Sequence, residues 1–212
     1  MVAHEYAHGY VAYLNGDPTA YQLGRLTFNP LKHIDPFMTI LFPLMLAIGH
    51  GPILGGAKPV PVNPRNYRNF KRADIMVSLA GIVTNLIIAI LCTLIIPLLY
   101  VIGHFIPASA SVVAVFQVMF IYGIMINLVL AAFNLIPIPP LDGSHVFKYI
   151  LPPAWALTYQ RVGRYGIFLI LALLFFDRNG QVLGVWFFPA DHVTVWLTSS
   201  VNRYILPWPF AL

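Results

Sequence analysis

The sequence predicts an all-α polytopic membrane protein, a bundle of about four to six transmembrane or re-entrant helices. Hydrophobic residues make up 59% of its 212 residues and charged residues only 9%, whereas soluble domains contain about 25% charged residues. Several apolar runs approach or exceed the roughly 20 residues that cross a bilayer as a helix. We therefore expect a multi-pass protein of the cell membrane, surrounded by the lipid bilayer.

The distribution of positive charge indicates an orientation in that membrane. The chain carries a net charge of +5. Five of its twelve Lys and Arg residues lie in one short stretch: Lys58, Arg65, Arg68, Lys71 and Arg72. Such clusters are typical of cytoplasmic loops, so we expect no nucleic-acid partner. By the same rule, residues 58–74 and 137–164 face the cytoplasm and residues 103–111 face the other side.

The chain begins with a helix predicted over residues 1–14, which carries His4, Glu5 and His8. At about 100° per residue, positions four apart lie one turn apart on one face of a helix. Both imidazoles therefore project in the same direction. Asn15-Gly16-Asp17-Pro18 follows and ends the helix.

The spacing of these three residues is typical of a zinc site. Two imidazoles one turn apart suit two ligands of a tetrahedral Zn²⁺, and Glu5, beside the first, can take a proton from water at the metal. A zinc site needs a third protein ligand, which must come from elsewhere in the chain. The alternative is a chance match, or core histidines with a capping glutamate.

Residues 15–36 are interpreted as a short β-hairpin and a connecting loop. Apolar and polar residues alternate between Thr19 and Asn29, with Gly24-Arg25 as the turn. A second non-helical stretch, residues 57–64, alternates Pro with Val and predicts an extended edge segment that lacks some backbone donors. We expect both near the zinc site, where an extended chain could add to them as a further strand.

Five apolar segments are predicted to enter the membrane: about 37–54, 75–102, 112–136, 165–176 and 182–197. Pro43 interrupts the first, which either spans the bilayer as a kinked helix or is re-entrant. Asp191 and His192 interrupt the last. With the helix and hairpin that precede them, these segments are interpreted as one integral-membrane domain over residues 1–212.

Two aspartates compete for the position of the third ligand. Ionisable residues beside apolar spans are expensive and indicate function. Asp142 follows the span 112–136 on a turn stiffened by three prolines, and Gly143 permits a tight turn there. A carboxylate suits the site because two neutral imidazoles leave the double charge of Zn²⁺ uncompensated. Asp35 lies nearer to the motif in sequence, and an aspartate that only caps a Pro-rich turn is the alternative for Asp142.

Two motifs taken together, His4-Glu5-x-x-His8 and Asn134-x-x-Pro137-x-Pro139-x-x-Asp142-Gly143, resemble those of the site-2 protease family. Members of that family are zinc metalloproteases that cut peptide bonds within membranes. Four further stretches are similar to its compact bacterial and archaeal branch: 16–19, 24–27, 29–36 and 58–64. The resemblance covers residues 3 to 150, and beyond Leu151 only hydrophobicity remains.

The resemblance implies a set of functional residues and a substrate class. It implies three zinc ligands, His4, His8 and Asp142, and it implies Glu5 as the general base or acid. The family's Gly-Pro-x-x-Asn motif corresponds to Gly81-Ile82-Val83-Thr84-Asn85, in which Ile82 replaces the proline. Asn85 would then position the substrate, a membrane protein or membrane peptide, or stabilise the oxyanion. A hydrogen bond between helices is the alternative role for Asn85.

A rival hypothesis from another class is a membrane scaffold or metal-handling protein that binds zinc without hydrolysis. Glu5 argues against it, since metal binding alone does not require this carboxylate. His33 and His145 lie near the motifs and are candidate supporting groups. Family members also carry an apolar stretch before the zinc motif. Fourteen helical residues cover about 21 Å of a roughly 30 Å apolar core, so we expect the native protein to begin upstream of Met1.

Overall fold

The computed structural model describes residues 1–49, 55–177 and 180–207, and these ranges are mostly helical. They contain nine α-helices: α1 (Val2–Leu14), α2 (Thr19–Gln22), α3 (Phe42–Ile48), α4 (Phe70–Phe105), α5 (Ala110–Asn134), α6 (Asp142–Phe147), α7 (Pro153–Val162), α8 (Gly166–Phe176) and α9 (Gln181–Val201). Short 3₁₀ turns and one π-helical turn connect them, and the described ranges contain no strand. The predicted all-α class is confirmed.

Two compact units divide the chain between them. The first consists of Met1–Thr84 and Asn134–Asn179, and so contains α1 to α3, the first turns of α4, and α6 to α8. The second consists of Asn85–Phe133 and Gly180–Leu212, and so contains the rest of α4, with α5 and α9. Every predicted zinc ligand and Glu5 belong to the first unit.

Three helical stretches among the described residues are long and apolar enough to cross a membrane: Phe70–Phe105, Pro107–Asn134 and Pro153–Phe176. They contain the predicted spans 75–102 and 165–176 and most of 112–136. Helices are suited to this task because they satisfy their own backbone polar groups in lipid.

The other two predicted membrane segments are less regular. Pro36–Ile48 is a shorter apolar helix, made of a π-helical turn that runs into α3, and residues 50–54 of the predicted segment 37–54 lie outside the described residues. The helix α9 covers the predicted segment 182–197 but is not among the three long apolar helices.

The β-hairpin expected over 19–29 is not confirmed, because Thr19–Gln22 forms a helical turn instead. The Asp17 carboxylate precedes that turn and accepts a hydrogen bond from the Thr19 backbone N–H at 3.2 Å and another from its hydroxyl. A carboxylate that binds the backbone N–H two residues later forms a local turn that competes with a strand. The chain then reverses at Gly24, whose φ of +61° suits glycine. Local hydrogen bonds of the Asp17 side chain therefore outweigh the alternating pattern.

A buried amide organises the second unit. Gln117 on α5 is fully buried, and its Nε2 donates to the carbonyls of Ile96 at 3.1 Å and Tyr204 at 2.7 Å. Its Oε1 accepts from the Leu206 N–H at 2.9 Å. A buried amide is tolerated only when it is hydrogen-bonded. Gln117 thereby attaches the residues that follow α9 to the apolar core of this unit: Ala89, Cys92, Ile96, Ile124, Leu128, Leu197 and Val201.

Candidate metal centre

Three predicted ligands meet in the first unit. Asp142, the first residue of α6, places its Oδ2 3.2 Å from the Nε2 of His4 and 3.3 Å from the Nε2 of His8, both on α1. The two imidazole rings lie edge to face with their centres 4.6 Å apart. One ligand atom from each of the three residues lies within 4.8 Å of the others, a spacing that a metal ion can bridge.

Hydrogen bonding orients the His8 ring toward Asp142. Its Nδ1 lies 2.7 Å from the Val77 carbonyl on α4. A carbonyl only accepts, so Nδ1 carries the proton and the Nε2 of the neutral ring presents a lone pair to Asp142. A lone pair and a carboxylate oxygen repel each other unless a cation lies between them.

Asp142 has the properties of a metal ligand. Its Oδ2 is buried, and no donor among the described residues reaches it with good hydrogen-bond geometry. Burial raises the pKa of Asp142, whereas the two imidazoles lower it when they are protonated, and their effect outweighs burial and holds that pKa at about 2. The carboxylate is therefore ionised at neutral pH. Two imidazole nitrogens and one carboxylate oxygen form the donor set of a catalytic zinc site with one open position, so the residues fit the ion.

Asp35, the competing candidate, has a different role. Its Oδ1 accepts hydrogen bonds from the N–H groups of Phe37 at 3.0 Å and Met38 at 2.8 Å. These are the contacts of a residue that caps the start of a helix. Asp35 therefore begins the turn Pro36–Leu41, and it does not belong to the cluster of potential metal ligands found among the described residues.

Glu5 is oriented by the segment 57–64. Its Oε2 accepts a hydrogen bond from the Val60 N–H at 2.9 Å. The segment is not part of a sheet in the described part of the chain, and two more of its N–H groups donate to neighbouring residues: Lys58 to the His33 carbonyl at 2.8 Å and Asn63 to Asp17 Oδ2 at 2.6 Å. The segment therefore fixes the direction of the Glu5 carboxylate.

Two residues that support this segment were not predicted. Asp17, treated in the sequence only as a helix breaker, is fully buried and accepts hydrogen bonds from both Asn63 and Asn66. Arg25 donates from Nη2 to the carbonyls of Lys58 at 3.2 Å and Pro59 at 3.3 Å. In the sequence, the one feature that could have indicated a structural role for Asp17 was its position between Gly16 and Pro18. Nothing in the sequence indicated the partner of Arg25.

The two supporting histidines fall in different places. His33 is buried, and its Nε2 lies 2.9 Å from the Thr27 carbonyl, so it holds the loop that contacts the segment 57–64. His145 lies one turn after Asp142, with its Nδ1 3.4 Å from Oδ1 of Asp74. Asn85 is fully buried on α4, where the second unit begins.

The Gly81 position leaves room for the His4 ring. A Cβ added there would lie 2.4 Å from Cε1 and 2.6 Å from Nδ1 of His4, closer than real Cβ contacts allow. Glycine is therefore required at position 81, because the His4 ring lies too close for any side chain. The sequence analysis assigned this role to no residue.

Gly81→Ala is accordingly expected to displace the His4 ring and reduce the zinc content of the purified protein. Removal of a group that supports a metal ligand weakens metal affinity by about tenfold or more. Displacement of the ligand itself should weaken zinc affinity by at least that factor. Metal analysis and a competition titration with a chelator measure the effect. Gly184→Ala is the matched control, since a Cβ at Gly184 meets nothing within 4 Å. Equal zinc affinity in the two variants would contradict the role given to Gly81.

Two histidines and a carboxylate in this geometry, with a glutamate on the same helix as the histidines, are the groups that a metal-dependent hydrolase uses. With three helices able to cross a membrane, the chain has the features of a membrane metalloprotease.

Comparison with known proteins identifies the family. The family model described as "Peptidase family M50" matches residues 99–176. A Bacillus subtilis protein named "Putative zinc metalloprotease YwhC" is 40% identical over 180 residues, which cover 85% of this chain and 78% of that protein. "Putative zinc metalloprotease Rip2" of Mycolicibacterium smegmatis is 28% identical over 212 residues, covering 98% of this chain and 77% of that protein. No solved structure matches significantly. The chain belongs to peptidase family M50, the site-2 protease family, and is a metalloprotease.

Proposed function

We propose that this metalloprotease is an intramembrane zinc endopeptidase of the cell membrane that cuts peptide bonds in or near the transmembrane segments of other proteins. In this proposal His4, His8 and Asp142 hold the zinc ion and Glu5 is the general base. The observation that carries it is the approach of one buried Asp142 oxygen to both Nε2 atoms, at 3.2 and 3.3 Å.

The chemistry divides between the ion and the side chains. When bound, Zn²⁺ supplies Lewis acidity, which acidifies water and polarises a peptide carbonyl. Glu5 takes a proton from the attacking water on its carboxylate and then passes it to the nitrogen of the leaving amine. The Val60 N–H at 2.9 Å keeps that carboxylate in one orientation during both transfers. From the family resemblance, we propose that the Asn85 amide donates to the oxyanion.

The position of the site along α4 supports cleavage close to a membrane surface. This helix has 36 residues and is therefore about 54 Å long, which exceeds the roughly 30 Å apolar core. Val77 and Gly81, which contact the two histidines, follow Phe70 by about 10 and 16 Å along the axis. We infer that the site lies within the first turns of the span, toward its basic end.

A substrate helix must unwind before it can be cut, because its backbone hydrogen bonds shield the scissile carbonyl. The segment 57–64 has no strand partner among the described residues, and none of the described hydrogen bonds uses the Val62 N–H or the carbonyls of Val60 and Val62. We propose that this segment holds the unwound peptide by strand addition. Residues 19–29 were expected to share that role as a hairpin, but Thr19–Gln22 forms a helical turn.

The experiment that tests the function uses the full chain purified in detergent and reconstituted in vesicles. A synthetic transmembrane peptide and a soluble peptide are offered side by side, and the cut sites are mapped by mass spectrometry. Cuts within the apolar segment, abolished by a chelator, are expected. Cuts confined to the soluble peptide would overturn the intramembrane assignment. Bound zinc without any cut would favour the zinc-binding scaffold.

Orientation in the membrane gives a separate prediction. The stretch 65–72 holds four Arg and Lys residues, so we expect it to be cytoplasmic. In intact cells, Asn69→Cys should react with a membrane-impermeant thiol reagent only after the membrane is opened. The native Cys92 is buried and gives a low background. Ala108→Cys, in the stretch expected on the other side, is the positive control. Prompt labelling at position 69 from outside would invert the assigned topology.

A further inference from the structure

We propose that Asp74 is a positioning residue: it binds the segment that follows Asp142 to α4 and thereby holds that carboxylate at the metal centre. This inference rests on the proposed zinc site. It concerns a residue that takes no part in the proposed chemistry and that no motif of the sequence singled out.

Asp74 is a buried carboxylate whose oxygens are all used. It is 4% exposed on α4. Its Oδ2 accepts from Lys148 Nζ at 2.6 Å and from the Tyr149 hydroxyl at 2.9 Å, and its Oδ1 lies 3.4 Å from Nδ1 of His145. Buried carboxylates are rare unless paired. All three partners of Asp74 come from the seven residues that follow Asp142, so the carboxylate binds one continuous segment.

That segment needs an external anchor. The helix α6 has only six residues, Asp142–Phe147, far fewer than the roughly 12–15 that an isolated helix requires to be stable. The position of its first residue therefore depends on contacts with other elements: Gly143 packs closely against the Leu135 carbonyl, and the later residues bind α4. His145 lies three residues after Asp142, on the same face of the helix, and points to Asp74.

The contacts of Asp74 belong to a series along one face of α4. Asp74, Val77 and Gly81 are spaced by three and four residues, so they lie one turn apart on that face. Asp74 binds the segment of the third ligand, the Val77 carbonyl accepts from His8 at 2.7 Å, and Gly81 makes room for His4. Successive turns of α4 thus contact two of the proposed zinc ligands, His8 and His4, and the segment that follows the third, Asp142. Removal of the Asp74 charge loosens only the Asp142 end of this arrangement.

The test is the zinc affinity of Asp74→Asn in the full chain, measured by competition with a chelator in detergent. The amide keeps the size of the side chain but loses the charge that Lys148 binds. We expect a dissociation constant weaker by about 10–100-fold, the effect of removing a group that orients a metal ligand. With Co²⁺ in place of zinc, we expect an altered visible absorption spectrum, because that spectrum reports the ligand geometry.

Asp35→Asn is the matched control, since Asp35 caps its own turn and contacts no residue of α6 among the described hydrogen bonds. Its zinc affinity should equal that of the wild type. If Asp74→Asn does not fold, Tyr149→Phe removes one hydrogen bond from the same carboxylate and should weaken zinc binding by less than tenfold.

A purely structural role for Asp74 has a different signature. It would lower the melting temperature of the metal-free and zinc-bound protein equally and leave the zinc dissociation constant and the Co²⁺ spectrum unchanged, which would overturn the inference. Failure of the zinc site itself is distinguishable, because the wild type would then bind zinc no more tightly than His8→Ala.

Discussion

Replacement of Asp142 by alanine is expected to remove most of the zinc from the purified protein. The carboxylate is the sole anionic group of the proposed ligand set, and its Oδ2 lies 3.2 and 3.3 Å from the two imidazole nitrogens. Without it, the ion would keep two neutral ligands and its full double charge in a partly buried site, where charge is poorly solvated. The loss in affinity should exceed the 10–100-fold that removal of a supporting group produces.

Metal analysis of the protein in detergent checks this prediction, with Asp35→Ala as the comparison. Asp35 hydrogen-bonds to the N–H groups of Phe37 and Met38, so its loss removes a helix cap and should leave the zinc content near the wild-type value. Zinc lost from Asp35→Ala and retained in Asp142→Ala would transfer the third ligand to Asp35.

Glu5→Gln is expected to keep its zinc and lose its proteolytic activity. The glutamine side chain has the same shape, and its amide oxygen can still accept the hydrogen bond that the Val60 N–H donates at 2.9 Å. It cannot accept a proton from water at neutral pH. General acid–base catalysis contributes about 10²–10⁴-fold to the rate, so cleavage should fall by at least that range.

Cleavage rate and zinc content must be measured on the same preparation of Glu5→Gln. Normal zinc with a rate reduced by two or more orders of magnitude is the expected pair of results. A rate within about tenfold of wild type would remove Glu5 from the role of general base. A loss of zinc together with activity would instead assign Glu5 to the ligand set.

Local rules were sufficient for the elements that depend on neighbouring residues. The 3.6-residue period places His4 and His8 on one face of a helix, and the structure has that helix over Val2–Leu14. Long apolar runs predict membrane helices because about 20 helical residues cross the apolar core of a bilayer. One of these runs lies within the helix Phe70–Phe105. The resemblance to site-2 proteases, made from motifs near both ends of residues 3–150, is confirmed by the family comparison.

The hairpin predicted over residues 19–29 is not confirmed, because the local structure there depends on one side chain. Alternation of apolar and polar residues favours a strand, but the Asp17 carboxylate binds the Thr19 N–H and starts a helical turn. The same carboxylate reaches Asn63 and Asn66, more than forty positions away. A pattern count does not contain this information, because it weighs each residue without its partners.

By itself, the sequence determined the helical class, the membrane-type composition and the pairing of two histidines with a glutamate on one helix, because each depends on residues within a few turns of one another. The choice between Asp35 and Asp142 stayed open. Only the tertiary structure decided which carboxylate lies beside the histidines, which backbone N–H orients Glu5, and that one face of α4 contacts every ligand segment. Those contacts join residues far apart in the chain, and their distances follow from how whole helices pack.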